Sequence, residues 1–440
     1  MMRSLKNFRP FTGGMGVFLL VWFGQLVSLI GSGLTNFALG VWVYQRTASV
    51  TQFSLILLFA VLPSILISPV AGAMVDRWNR RVSMILSDSG AGITTVAIAL
   101  LLATGSLEIW HIYLAVGLSS IFKAFQLPAY TASTALLVPK EALPRASGMV
   151  QSGQACAQLI SPLLAGFLLG IVQLQGVILI DFATFLFALT TLFFVSFPDA
   201  KTATVPVNGK ASLWREAMEG ATYIFVRPGL LALVIVFAIN NFVFGLIEVL
   251  FTPLVLKFAS VTVLGTIQSI GGAGMLLGSV IMSMWRGPKL LIRGVFGFGF
   301  LYQLCVLAFG LGTSFALFAL ANFLLFFSLP FINGYSNAIW LRKVAPDIQG
   351  RVFATINMIG LSCIPVAYLV AGPLADRIFE PLMAADGLLA GSVGQIIGVG
   401  PGRGIGLLFI TMEIIAIVVT VAAYRYPRLW FVERELPDVI

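Results

Sequence analysis

A chain of 440 residues that is 59% hydrophobic and 10% charged, with a mean hydropathy of +1.01, does not divide into soluble domains. Its 26 lysines and arginines against 17 acidic residues give a net charge of +9, but the cations are scattered between apolar runs, which argues against nucleic-acid binding. The single histidine and the three cysteines, Cys156, Cys305 and Cys363, all inside or at the edge of apolar segments, support neither a metal centre nor a disulfide framework.

In chain order, Arg3, Lys6 and Arg9 precede an apolar stretch in the manner of a signal peptide. That stretch is about 25 residues long and runs into polar residues at Tyr44 to Ser49, so it reads as a retained first span. A helix needs about 20 mostly apolar residues to cross the hydrocarbon core. Such windows predict spans at 17–43, 52–75, 82–104, 109–134, 147–170 and 174–196. A second set falls at 230–256, 262–285, 291–311, 315–338, 350–374 and 404–424. The tails and the even-numbered loops hold most of the lysines and arginines, so both termini are expected in the cytoplasm.

Between the halves, 197–229 reads as a cytoplasmic linker with an amphipathic helix from Trp214 to Phe225. The expected organisation is one six-helix bundle at 1–196, this linker, and a second bundle at 230–440. The segment 375–403 is expected to be a long outer loop. The string Gly398 to Gly404 (GVGPGRG) at its end imitates a phosphate loop but follows no strand.

An offset of 206 residues places Gly72 on Gly278, Arg145 on Arg351, Gln151 on Asn357 and Gly166 on Gly372, each pair at the same point of its half. Because the offset spans six helices, the halves have parallel topology, related by an axis along the membrane normal.

Gly72-Ala-Met-Val-Asp76-Arg77-Trp-Asn-Arg80-Arg81, at the end of span 2, resembles the Gly-x-x-x-Asp-Arg-x-x-Arg-Arg signature of major facilitator superfamily transporters. Span 1, Phe125 to Ala129, Val138 to Gly148 and Gly372-Pro-Leu-Ala-Asp376-Arg377 are similar to the bacterial subfamily that includes macrolide efflux pumps and the enterobactin exporter. The resemblance implies an all-α membrane protein with twelve transmembrane helices in two six-helix bundles. It also implies a secondary exporter, usually proton-driven, with a central cavity. Two features depart from the pattern. Span 4 lacks the basic antiporter motif, although it carries Lys123, and the span 5 motif Gly-Pro-x-x-Gly-Gly stands as Ser161-Pro162-Leu-Leu-Ala165-Gly166.

Candidate functional residues follow from cost, because a charge at mid-membrane is unfavourable by about 2.5–3.5 kcal/mol on insertion scales. Lys123 either binds an anionic substrate, couples to a carboxylate, or forms a structural ion pair. Glu248, on one helical face with Asn241 and Thr252, is a candidate for proton coupling or the partner of a cation. Asp181 and Glu413 are weaker candidates for coupling or substrate binding. Asp88 reads as structural, with Arg77, Arg80 and Arg81 as its expected partners. Gly72, Asp76, Arg77, Arg80 and Arg81 are assigned to a cytoplasmic gating latch, the alternative being a plain loop ion pair. Gln25, Ser28, Ser32 and Asn36 in span 1 and Gln151, Gln154, Gln158 and Ser161 in span 5 follow helical spacing. With Asn241 and Asn357, they line a wet cavity or bond between helices. His111, alone at a span end, supports no metal or catalytic pair.

Taken with the resemblance, which alone implies the direction of transport, these residues lead to the expectation of a secondary active exporter of an amphiphilic or hydrophobic small molecule, macrolide-like, working by alternating access in the bacterial inner membrane. No cofactor is expected: no Walker sequence is present, and a proton gradient is the expected energy source. No catalytic cluster points to an enzyme. The expected partners are a small-molecule substrate and membrane lipid, with no nucleic acid, and the chain is expected to be a monomer. A siderophore or lysophospholipid exporter is the alternative cargo reading. A non-transporting membrane receptor or assembly protein is the alternative of another class.

Overall fold

The computed structural model describes residues 11–12, 14–75, 78–139, 142–196, 219, 221–285, 287–288, 290–345 and 348–427. Among these, twelve helices are long and apolar enough to cross a membrane. The first six are α1 (Met15–Thr47), α2 (Val50–Val75), α3 (Arg80–Ala103), α4 (Ile109–Leu137), α5 (Leu143–Ile171) and α6 (Gln173–Phe194). The second six are α7 (Pro228–Leu256), α8 (Val261–Met284), α9 (Leu291–Leu311), α10 (Phe315–Lys343), α11 (Gln349–Leu374) and α12 (Arg403–Arg425). A two-residue parallel bridge pairs Phe11–Thr12 with Val195–Ser196.

Polar residues set where several helices begin. The Asn79 side chain accepts the backbone N–H groups of Arg81 and Val82 at 3.0 and 3.3 Å, so α3 starts directly after it. Ser260 accepts the N–H of Val263 and opens α8. Ala48 and Gln173, at φ 51° and 56°, make the tight reversals between α1 and α2 and between α5 and α6. Pro128, Pro162, Pro330 and Pro365 lie inside helices, where neighbouring helices tolerate the lost backbone donor.

The predicted spans coincide with these helices except at their ends. α1 and α10 run to Thr47 and Lys343, past the expected 43 and 338, because a helix continues into the polar zone after its apolar window closes. The larger difference is at 375–403, expected to be loop throughout. Helical conformation continues from α11 through a π-helical stretch, Ala375–Phe379, to Glu380–Leu382, and a short helix forms at Gly394–Ile397.

The described residues group into two compact units, one of Met1–Arg46 with Leu55–Val205 and the other of Thr47–Ser54 with Pro206–Ile440. In the first, α3 packs on α4 and α6. Ser120 of α4 donates to the Ala60 carbonyl of α2 at 2.8 Å, and Ser161 of α5 to the Ile30 carbonyl of α1 at 3.1 Å. In the second, α9 packs on α10 and α12, α8 on α10, and α11 on α7. Each pairing thus recurs six helices later, which extends the duplication from four residue pairs to the packing itself.

Helices in lipid gain little from excluding water and are held by close approach. Gly274 and Gly278 of α8 show this. A Cβ built on either would stand 2.2 Å from the Phe323 carbonyl oxygen and 2.4 Å from that of Phe327, respectively, so the α8 and α10 backbones touch where only glycine fits. At the repeat-related Gly72, an added Cβ meets nothing within 4 Å. The first unit has two apolar clusters. Val17, Phe18, Val21, Met84, Ala129 and Leu192 form one, and Leu34, Ala38, Ile98, Ile112, Val116 and Val177 the other. On α1, α3 and α4 the polar residues Gln25, Asp88, Lys123 and Gln126 fall between these clusters, so the first unit has apolar packing toward both ends and polar side chains in the middle.

Candidate functional site

That polar middle is a cavity of about 420 Å³. Gln25, Ser28 and Ser32 of α1 border it, and so does Gln154, alone of the polar stripe on α5. Asn36 borders a smaller adjoining hollow of about 40 Å³. Gln151 and Gln158 are exposed on α5 and do not border the main cavity, and Ser161 is used between helices.

Lys123 and Asp181, singled out separately in the sequence, reach the same cavity from α4 and α6 and attract one another electrostatically. Asp181 is 3% exposed and also accepts the hydroxyls of Ser32 and Thr95 at a long 3.5 Å. Lys123 therefore has a carboxylate within the unit, as the coupling and ion-pair readings both required.

Asp88 corrects the sequence reading. Its expected partners were Arg77, Arg80 and Arg81; Arg77 lies outside the described residues, while Arg80 donates to the Ala132 carbonyl at 3.1 Å, and Arg81 to the Leu192 and Phe193 carbonyls at 3.1 and 2.9 Å. Asp88 lies two turns further into α3, about 12 Å along the axis from Arg80, and is 4% exposed on the cavity wall. One carboxylate oxygen accepts the Gln25 amide at 3.0 Å, and the other accepts the Gln126 amide, which also reaches the Gln25 carbonyl oxygen at 2.8 Å. Gln126 was missed, although its position one turn after Lys123 on the same face was visible in the sequence.

Asp76 and Arg77 of the latch lie outside the described residues, as do 197–218 of the linker. Gly72 is half-buried near the end of α2. Arg80 and Arg81 hold helix ends within the first unit.

The second unit has a cavity of about 230 Å³ lined by Asn240, Asn241, Gln303, Asn333, Ser336 and Thr420 with aromatic neighbours; it carries no Asp, Glu, Lys or Arg. Of these residues only Asn241 was singled out in the sequence. The others stand singly on their helices and leave no stripe. Asn357 is exposed on α11 and does not border this cavity.

Glu248, exposed on the surface of this unit, accepts the Tyr368 hydroxyl, so its partner is a phenol rather than a cation. Glu413 is 0% exposed, and among the described residues neither carboxyl oxygen has a hydrogen-bond partner. The Tyr302 hydroxyl, within electrostatic reach of it, is likewise unpartnered.

Two further carboxylates close backbone ends in this unit. Asp376 accepts the Ser49 hydroxyl at 2.7 Å and the N–H groups of Thr51 and Val50 at 2.8 and 3.0 Å, capping the residues that open α2. Glu380 accepts the N–H groups of Gly402 and Ile405, at 3.1 and 3.3 Å. The glycine string that imitates a phosphate loop is thus occupied by the protein's own carboxylate.

Twelve apolar helices, pairing twice in one order around buried polar hollows, define a polytopic membrane transporter of the major facilitator type. The sequence profile of the Major Facilitator Superfamily matches residues 21–367, and the chain belongs to that family. It is a multi-pass membrane transporter and not an enzyme.

Over 370 residues it is 29% identical to Macrolide efflux protein A of Streptococcus pyogenes, covering 82% of this chain and 90% of that protein. A protein of the same name from Enterococcus faecalis is 28% identical over 318 residues, 70% of this chain and 96% of that one. Among solved structures, a bacterial homologue of the human lysosomal transporter Spinster, inward-facing and unoccupied, superposes with a TM-score of 0.68 at 16% identity. It covers 95% of this chain and 96% of that one, and shares the fold.

Proposed function

We propose that this chain exports an amphiphilic or hydrophobic, macrolide-like small molecule across the bacterial inner membrane by alternating access, driven by protons. The observation that carries this is the first unit's cavity of about 420 Å³, where apolar and aromatic side chains such as Trp22, Leu29, Leu127 and Phe185 share one space with about as many polar ones. Such a mixed lining suits a partly apolar ligand. The relatives named as macrolide efflux proteins support the same cargo class.

For coupling, Glu248 and Glu413 supply carboxyls within helices, one beside a phenol and the other without a partner, where a proton can be held and released. The distribution of lysines and arginines supports cytoplasmic termini. An anionic siderophore or lysophospholipid is a poorer fit, since the cavity's one lysine shares the lining with two carboxylates, Asp88 and Asp181.

The test is accumulation of macrolides, cationic dyes and siderophores in efflux-deficient cells expressing the protein, with and without a protonophore. Lowered accumulation of a macrolide, abolished by the protonophore, is the expected result. Lowered accumulation that persists with the protonophore refutes proton coupling, and an effect on siderophores alone refutes the cargo.

A further inference from the structure

We infer that Asp88 is the anchor for a positively charged nitrogen or phosphonium centre on the cargo, so that the first unit's cavity selects lipophilic cations over neutral and anionic amphiphiles. The inference rests on the cavity being the cargo site proposed above. Three ionisable acid or base groups other than tyrosine border it: Lys123, Asp181 and Asp88. Lys123 and Asp181 are of opposite charge and within electrostatic reach of one another, whereas the hydrogen-bond partners of Asp88 among the described residues are the neutral amides of Gln25 and Gln126. The wall therefore carries one carboxylate that its own residues do not neutralise. Two amide donors, one on each oxygen, hold that carboxylate as an acceptor, the geometry that suits its ionised form.

The rest of the lining suits the same ligand. Trp22, Tyr130 and Phe185 border the cavity, and the faces of aromatic rings attract cations. The Trp22 indole is fixed by donation to the Met149 carbonyl at 2.8 Å, which leaves its ring rather than its N–H to meet the cargo. The Tyr130 hydroxyl is buried without a partner among the described residues. An uncompensated carboxylate beside aromatic rings recognises a bulky organic cation better than a compact, strongly hydrated one. The latter would have to surrender its water to a wall about half of whose side chains are apolar.

The test is direct binding to the purified full-length protein in nanodiscs, comparing tetraphenylphosphonium, a permanent cation, with uncharged triphenylphosphine oxide. Asp88→Asn keeps the size of the side chain and removes its charge; Asp88→Glu restores the charge. The expected result is about a thirtyfold or greater loss of tetraphenylphosphonium affinity in Asp88→Asn, the scale for truncating one side of a desolvated charge pair. Asp88→Glu should recover most of that affinity, and triphenylphosphine oxide should bind all three proteins alike.

Undiminished cation binding by Asp88→Asn overturns the inference, as does failure of the unsubstituted protein to bind the cation. Equal loss of both ligands also overturns it, since the carboxylate would then only hold the wall together. Because this readout is binding, it stays separate from the export reading. Cation binding at Asp88 without export of any compound by the unsubstituted protein sinks the proposed function and leaves the anchor standing.

Discussion

Substituting alanine at Gly278 and, separately, at Gly72 tests whether the repeat preserves packing or only sequence. The two glycines are equivalent by the 206-residue offset and gain the same helix propensity from alanine, about 0.5–1 kcal/mol. That gain cancels in the comparison. At Gly278 the new methyl stands 2.4 Å from the Phe327 carbonyl oxygen and 3.2 Å from its Cα. An unstrained contact needs about 3.5 Å, so α8 and α10 must part by roughly 1 Å. Overpacking of this kind costs about 1–3 kcal/mol, while at Gly72 the same methyl meets none of the described residues within 4 Å. For a unit of this size each kcal/mol moves the melting temperature by about 2–4 °C. Gly278→Ala should therefore melt roughly 3–10 °C below Gly72→Ala. Thermal melts followed by size-exclusion chromatography in detergent read this directly. Equal melting of the two variants would refute the claim that backbone contact, rather than side-chain interdigitation, holds α8 to α10.

Replacing Glu248 with Gln should abolish transport driven by a pH gradient while leaving facilitated exchange of cargo; proteoliposomes with an imposed gradient test this, and intact gradient-driven uptake removes Glu248 from coupling. Glu413→Gln keeps a buried neutral group of the same shape and should leave the protein as stable as before. Stability lost in a thermal melt would show that the carboxylate has a partner the geometry does not suggest. Glu380→Ala frees the backbone donors of Gly402 and Ile405, so hydrogen exchange at the start of α12 should quicken by about tenfold or more, the equivalent of one charge-assisted hydrogen bond. Asp376→Ala should raise exchange at Val50 and Thr51 in the same way.

The helices were legible because a span needs only length and hydropathy, both carried by the sequence alone. Their ends were less so: α10 carries Arg342 and Lys343 in its last turn, and nothing apolar marks where it stops. Asp88 was misread because neighbours in sequence were taken as partners. The helix instead carries its carboxylate two turns away from the arginines and against Gln25 and Gln126, which come from other helices. The approach of Lys123 to Asp181 was invisible for the same reason, although each was flagged by its cost in lipid. The second cavity was missed almost entirely, since a polar residue contributed once per helix gives no periodicity to read.

Arg81 gives the signature motif a mechanical meaning. Its guanidinium holds the carbonyls of Leu192 and Phe193, the closing turn of α6, just before the stretch that leads toward the second unit. A cation there complements the negative end of the helix. The same side chain thereby ties the start of α3, the helix that carries Asp88, to the closing turn of α6.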